Sequence, residues 1–393
     1  MDIVISHRAQ SIKPSPTLSV SARAAQLCAE GRDIIDLGAG EPDFDTPEHI
    51  KAAAVEALRQ GFTKYTPIEG TSDLKQAIIG KFRRENNLEY KPAQIIVSCG
   101  AKHSLYNLMQ ALLNPGDEVI IPAPYWVSYP DMARLAGAEP VIIKTGIQEG
   151  FKINRSQLRG AITKRTRLFV LNSPSNPTGV SYTNDEMKEL SKILLDHPEI
   201  IVVTDDIYEH VLWGQEKFSN ILNVCPDLYD QTVVVNGVSK AYAMTGWRIG
   251  YVGGPASLVG AMKKIQSQST SNPTSIAQVA ARAALEGDQS YIAESTRIFK
   301  ERHDFVYKEL GKIKGIECQP ADGTFYIFPN MSGIIERMEN IDDDLQLAEH
   351  FLDKAGVAMV PGSAFGAPGC MRISFATSME KLKDALNRIK NAI

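Results

Sequence analysis

The chain has 393 residues, 44% hydrophobic and 22% charged, with a net charge of −4. That length supports two cores, the composition is ordinary for a soluble globular protein, and the lack of a basic surplus argues against nucleic acid or an anionic membrane as partner. Five scattered cysteines without a CxxC pair, seven histidines without HExxH spacing and no apolar run of signal-peptide or membrane-span length lead to the expectation of a cytoplasmic protein with reduced thiols and no metal.

Lys13-Pro14-Ser15-Pro16-Thr17 breaks any early helix, and Ser21 to Glu30 then carries apolar residues at helical spacing. Residues 33–37 read as a short strand entering Gly38-Ala39-Gly40-Glu41-Pro42-Asp43. That Gly-x-Gly lacks a third glycine and runs into Pro42, so it is no dinucleotide fingerprint. Thr46 is expected to cap a helix with Pro47 at its first position, Ile50, Ala54, Ala57 and Leu58 on one face, and Gly61 as its stop. A second helix covers roughly 72–85, and Lys81-Phe82-Arg83-Arg84 reads as its solvated face. Strands are then predicted at 95–98, 118–121, 168–171, 200–203 and 232–235, with a further one at 249–252. Helices fall at 102–113 and from Asn184, the latter with Thr183 and Glu186 as a capping box. Short apolar strands alternating with helices predict an α/β fold with a mainly parallel sheet covered on both faces, whose ligand site lies at the strands' carboxyl ends.

After about Gly287 the pattern changes to a long helix over 291–312, strands at 316–319, 324–328, 357–360 and 371–375, and a helix over 343–355. A closing helix has Thr377 and Glu380 as its capping box. The expected division is a large α/β domain over 46–287 and a smaller α+β domain built from 1–45 and 288–393.

Polar clusters follow several of these strands. Lys240, flanked by Ser239 and followed eight positions on by Arg248, sits in a loop between two strands. Such a lysine suits an imine with a cofactor aldehyde, and Ser239 and Arg248 suit a phosphate tail; an ordinary surface lysine is the competing reading. Asp205 ends an apolar strand, with Tyr208 three residues later. It could cap a helix, or pair with a pyridine nitrogen and keep it protonated, while Tyr208 bonds a phenolic oxygen. Asp206 is expected to point away as a bystander. Asn176, in Asn172-Ser173-Pro174-Ser175-Asn176-Pro177-Thr178-Gly179, is either turn chemistry or a neutral donor to the same oxygen. Gly100, Ala101 and Lys102 open a helix whose amides suit a phosphate, Trp126 offers a stacking plate, and Arg372 stands alone in an apolar strand, suited to a carboxylate.

Lys240 within Ser-Lys-Ala-Tyr-Ala-Met-Thr-Gly-Trp-Arg-Ile-Gly, Asn-Pro-Thr-Gly, Asp-x-x-Tyr and the late Arg372 together resemble the class I aminotransferases. Lys13-Pro14-Ser15 and Gly40-Glu41-Pro42-Asp43-Phe44-Asp45-Thr46-Pro47 resemble the bacterial aspartate aminotransferase subgroup that sometimes also accepts prephenate. The resemblance implies a fold-type-I transferase dependent on pyridoxal 5'-phosphate. Lys240 would be its Schiff-base lysine, Asp205 the partner of the ring nitrogen, and Asn176 and Tyr208 contacts of the phenolic oxygen. Trp126 would stack on the ring, with Gly100, Ala101, Lys102, Ser239 and Arg248 around the phosphate. Tyr65 would reach the phosphate of a neighbouring subunit, which implies a homodimer. Arg372, Asn176 and the backbone at Gly40 would clamp the substrate α-carboxylate. No arginine matches the family's partner-subunit ligand for a distal carboxylate, which leaves Lys102, with Lys13, Ser15 or Thr17 near the entrance, to serve. The implied substrates are L-aspartate and 2-oxoglutarate, with prephenate or an aromatic amino acid as the alternative.

Overall fold

The computed structural model describes residues 3–214 and 217–393. Twelve strands occur among them: β1 (Ile35–Asp36), β2 (Ile95–Ser98), β3 (Glu118–Ala123), β4 (Glu139–Lys144), β5 (Thr166–Asn172), β6 (Ile201–Asp205), β7 (Thr232–Gly237), β8 (Gly250–Gly253), β9 (Tyr326–Ile327), β10 (Val357–Ala358), β11 (Val360–Pro361) and β12 (Met371–Ser374). Seven form one sheet in the order β2-β8-β7-β6-β5-β3-β4. Only β8 runs against its neighbours. The carboxyl ends of β2, β3, β5, β6 and β7 therefore share one edge, and β8 starts from it.

The central strands are continuous runs of β-branched and aliphatic residues because both faces are covered. Val203, Val233 and Val235 pack on one side with Leu105, Leu108 and Met109 of the Ala101–Leu112 helix. Val202 and Val234 pack on the other with Leu190 and Leu194 of the Asn184–Leu195 helix. The last third of the chain builds β11-β12-β9, an antiparallel sheet, against the Ser290–Leu310 helix. β1 joins this part by parallel pairing with β10, Ile35 opposite Val357.

Several local expectations change. Pro47, not Thr46, is the N-cap of the Glu48–Arg59 helix; the Thr46 hydroxyl instead donates to the Ala243 carbonyl at 2.7 Å. Leu58 on that helix is half exposed. The closing helix is capped by Ser378, whose hydroxyl accepts from the Lys381 amide, not by Thr377. The predicted strand at 316–319 reduces to a single bridge between Glu317 and Asn330. Lys81 is fully buried, so that the basic group is no solvated face, and Asp206 is equally withdrawn from water. β4 and the Ser128–Leu135, Ala256–Ser267 and Ser275–Glu286 helices add to the predicted set.

Candidate active site

At the shared strand edge lies a cavity of about 490 Å³. β6 delivers Asp205 to it and β7 leads into Lys240, because parallel neighbours end side by side. The Lys240 amine donates to the Gly40 carbonyl at 2.7 Å. Burial lowers its pKa to about 8; Glu41 acts in the opposite direction, and Arg248 and Arg372 add to the lowering. A neutral amine is thus within reach near physiological pH, as proton transfer or imine chemistry requires.

Asp205 is the complementary case. Burial raises its pKa to about 6, against the Tyr129 hydroxyl, the Ile207 amide and the Lys240 charge. Tyr129 donates to its carboxylate at 2.6 Å. Tyr208 is buried and shares a 3.1 Å hydrogen bond with the Tyr326 hydroxyl. Arg372 donates to Asn176 Oδ1 at 3.1 Å and to the Gly38 carbonyl at 2.7 Å. Its Nε has no partner, and its guanidinium lies 4.4 Å from the Tyr326 ring centroid. Among the described residues it meets neutral acceptors only. A carboxylate is what such a cation lacks.

The glycine at position 100 is dictated by packing. Its φ is +85°, and a Cβ there would stand 2.2 Å from Arg248 Nη2. The Ala101 and Lys102 amides then open a twelve-residue helix beside a guanidinium, a cradle suited to phosphate. Ser239 lines the same cavity. Burial, with Arg248 adding to it, lowers the pKa of Lys102, whose amine sits 4.9 Å from the Trp126 ring centroid. Trp126 meets Tyr129 edge-on.

The cavity therefore collects Gly40, Ala101, Lys102, Trp126, Asn176, Asp205, Tyr208, Ser239, Lys240, Arg248 and Arg372. Three predicted residues lie outside its lining: Gly100 (which sits behind Arg248), Lys13 and Tyr65. Lys13 lines a neighbouring cleft of about 450 Å³, which shares Lys102 and Arg248 with the cavity. Tyr65 is 92% exposed. Tyr129, Tyr326 and Glu41 were not singled out from sequence yet line the site. Tyr129, in the first turn of the Ser128–Leu135 helix, and Tyr326, in a strand of buried aromatics, carry no local signal of their place in the site.

A mainly parallel sheet with a half-buried lysine, a buried acid and a phosphate cradle at its carboxyl edge defines a fold-type-I transferase built for pyridoxal 5'-phosphate, and these donors fit that group. Residues 32–389 match the family model for class I and II aminotransferases. Aspartate/prephenate aminotransferase of Nitrosomonas europaea is 57% identical, covering 99% of each chain. Among solved structures, aspartate aminotransferase of Rhizobium meliloti superposes with a TM-score of 0.96 at 46% identity, covering 100% of this chain and 99% of that one. The Thermus thermophilus aspartate aminotransferase with maleate gives 0.94 at 42% identity, covering 100% of both. The chain belongs to the class I and II aminotransferase family, whose enzymes depend on pyridoxal 5'-phosphate.

Proposed function

We propose that this aminotransferase moves the amino group of L-aspartate to 2-oxoglutarate, with prephenate as a further amino acceptor. The observation that carries the reading is that one cavity holds both a lysine of lowered proton affinity, Lys240, and an arginine, Arg372, with no counterion among the described residues. Bound pyridoxal 5'-phosphate supplies a carbonyl to exchange for the amino group and a ring that withdraws electrons from the substrate Cα. Lys240 would hold that group through Nζ, and as a free amine its Nζ would take up the substrate α-proton. Asp205 would hold the ring nitrogen in its protonated form, Asn176 and Tyr208 would hold the phenolic oxygen, and Trp126 would cover the ring. Gly100, Ala101, Lys102, Ser239 and Arg248 would hold the phosphate. Arg372 takes the α-carboxylate, helped by Asn176 and the Gly40 backbone, while Lys102 and Lys13 serve the distal carboxylate.

The substrate assignment draws support from relatives named aspartate aminotransferase, such as that of Bacillus subtilis at 47% identity, and from the solved relative with maleate, a dicarboxylate. Prephenate is favoured by the names of three relatives at 50% to 57% identity and by the second cleft that opens beside Lys102. We assign residues 46–287 to the cofactor domain and 1–45 with 288–393 to the smaller one. Tyr65, projecting from its own chain, reaches the phosphate of a second copy in a homodimer with shared sites.

Steady-state assays with aspartate and 2-oxoglutarate, and with glutamate and prephenate, test the reading. Oxaloacetate and glutamate are the products expected from the first pair. No turnover of aspartate sinks the main substrate, and no turnover of prephenate sinks the second. A monomer in sedimentation equilibrium overturns the shared site.

A further inference from the structure

One residue beyond Tyr208 begins a charged cluster that this chemistry does not use. Lys81, in the Ser72–Asn86 helix, is 0% exposed and pairs with the buried Glu209. Its amine also donates to Asn86 Oδ1 at 2.7 Å, and Glu85 lies 3.6 Å away. Glu209 accepts twice more: Asn86 Nδ2 donates to Oε2 at 2.7 Å, and Asn236 Nδ2 donates to Oε1 at 2.9 Å. Glu85, Glu209 and His210 approach one another closely enough to suggest a metal site, but the Lys81 ammonium already supplies the cation there.

Desolvating two ions often costs as much as their attraction returns, so stability alone is a poor reason to bury this pair. Its geometry offers a better one. The Glu209 amide donates to the Asp206 carbonyl at 2.9 Å and the Val211 amide to the Tyr208 carbonyl at 2.9 Å, closing the turn after β6. That turn follows Asp205 and carries Tyr208. Asn236 belongs to β7, four residues before Lys240. Glu209 therefore ties the turn to the strand that delivers the lysine, and Lys81 anchors both to a helix. Asp206 braces the same turn: it accepts from the Thr204 hydroxyl at 2.5 Å and from Asn220, and its amide donates to the Val235 carbonyl at 2.9 Å.

We propose that Lys81, Glu209 and Asn236 are positioning residues, which fix Asp205 and Tyr208 relative to Lys240 without touching substrate or cofactor. The inference rests on the roles proposed above for Asp205, Tyr208 and Lys240.

The test uses the holoenzyme. Lys81→Met combined with Glu209→Gln removes both charges at once and leaves neither stranded. The expected result is a fall in kcat of about tenfold to a hundredfold with KM within about twofold, since a displacement of about 1 Å suffices for that loss. The visible circular dichroism of the bound cofactor should weaken alongside. A folded double variant with wild-type kcat and dichroism overturns the proposal. Should that variant not fold, Asn236→Ala decides, because it keeps the ion pair and removes the tie between Glu209 and β7, together with the acceptor of the Gly237 amide. The same kcat loss at unchanged KM is expected there, and wild-type kcat in Asn236→Ala overturns the proposal. Wild-type protein without a visible cofactor band would instead defeat the parent reading, so the two failures are told apart.

Discussion

Arg372 and Lys81 are both cations withdrawn from water, yet their surroundings differ in kind. Lys81 meets the Glu209 carboxylate and the Asn86 side-chain carbonyl. Arg372 meets the Asn176 side-chain carbonyl, the Gly38 carbonyl and the faces of Tyr326 and Phe365, with its Nε unpaired. A buried cation without a counterion costs several kcal/mol, which the rest of the fold must offset. Burial alone thus does not mark a functional charge. The missing counterion does, because an incoming carboxylate then restores what the protein withholds. Lys240 belongs with Arg372: its amine bonds a backbone carbonyl, and burial has lowered its proton affinity.

The comparison is tested most severely at Lys240. Lys240→Ala should lower transamination by about 10⁴-fold or more while leaving a folded protein, as expected when the group acting on the reacting atoms is removed. Assay and absorbance of the purified variant would decide, and near wild-type turnover would remove Lys240 from the chemistry. At the paired cation the loss should fall on stability. Lys81→Met alone strands the Glu209 carboxylate in the interior, and unfolding of the holoenzyme should lose about 3–5 kcal/mol. Denaturant titration measures this, and a change below about 1 kcal/mol would mean the pair is not as isolated from water as its burial indicates.

The two cations also differ in how far the sequence announces them. Arg372 stands alone in an apolar strand, Lys240 between hydroxyl and aromatic neighbours, and Asp205 at the end of a strand; each is marked by its immediate neighbours. Lys81 sits in Lys-Phe-Arg-Arg, which reads as a wet helical face, and the partner that draws it inward is Glu209, 128 residues later. Tyr129 and Tyr326 are likewise brought to the site by packing over long separations. Strand order follows the same division. The apolar runs of β5, β6 and β7 are legible because both faces are covered, whereas β4 at the sheet edge is half exposed and its apolar run, Val141-Ile142-Ile143, stands between Pro140 and Lys144. Cap positions shifted by one residue at Pro47 and Ser378, where neighbouring residues compete for the same role.

Arg372→Leu should reverse the Lys81 outcome. Removing an unpaired cation should leave stability within about 1 kcal/mol of wild type, or raise it. The catalytic efficiency with aspartate should fall by about 10²-fold to 10³-fold, since the substrate carboxylate loses a buried, charged donor. Parallel denaturation and steady-state measurements check both halves. A large stability loss with little change in efficiency would erase the distinction between the two cations.

Asp205 gives the smallest and most graded test, because it is a buried acid with a single side-chain donor. Burial raises its pKa to about 6, and the Tyr129 hydroxyl works against that rise. Tyr129→Phe removes the hydroxyl and keeps the ring, so the Asp205 pKa should rise further, by about one unit. Only the ionised carboxylate can hold a protonated ring nitrogen. As pH falls, the variant should therefore lose kcat earlier than wild type, its acid limb displaced upward by about one unit, while the two enzymes converge at alkaline pH. A kcat profile over about pH 5 to 9 measures the displacement. An acid limb that stays in place would mean that the hydroxyl does not stabilise the carboxylate. A limb moved to lower pH would mean that Tyr129 acts on a different group, and Asp205 would then lose its place among the charges that wait for a ligand.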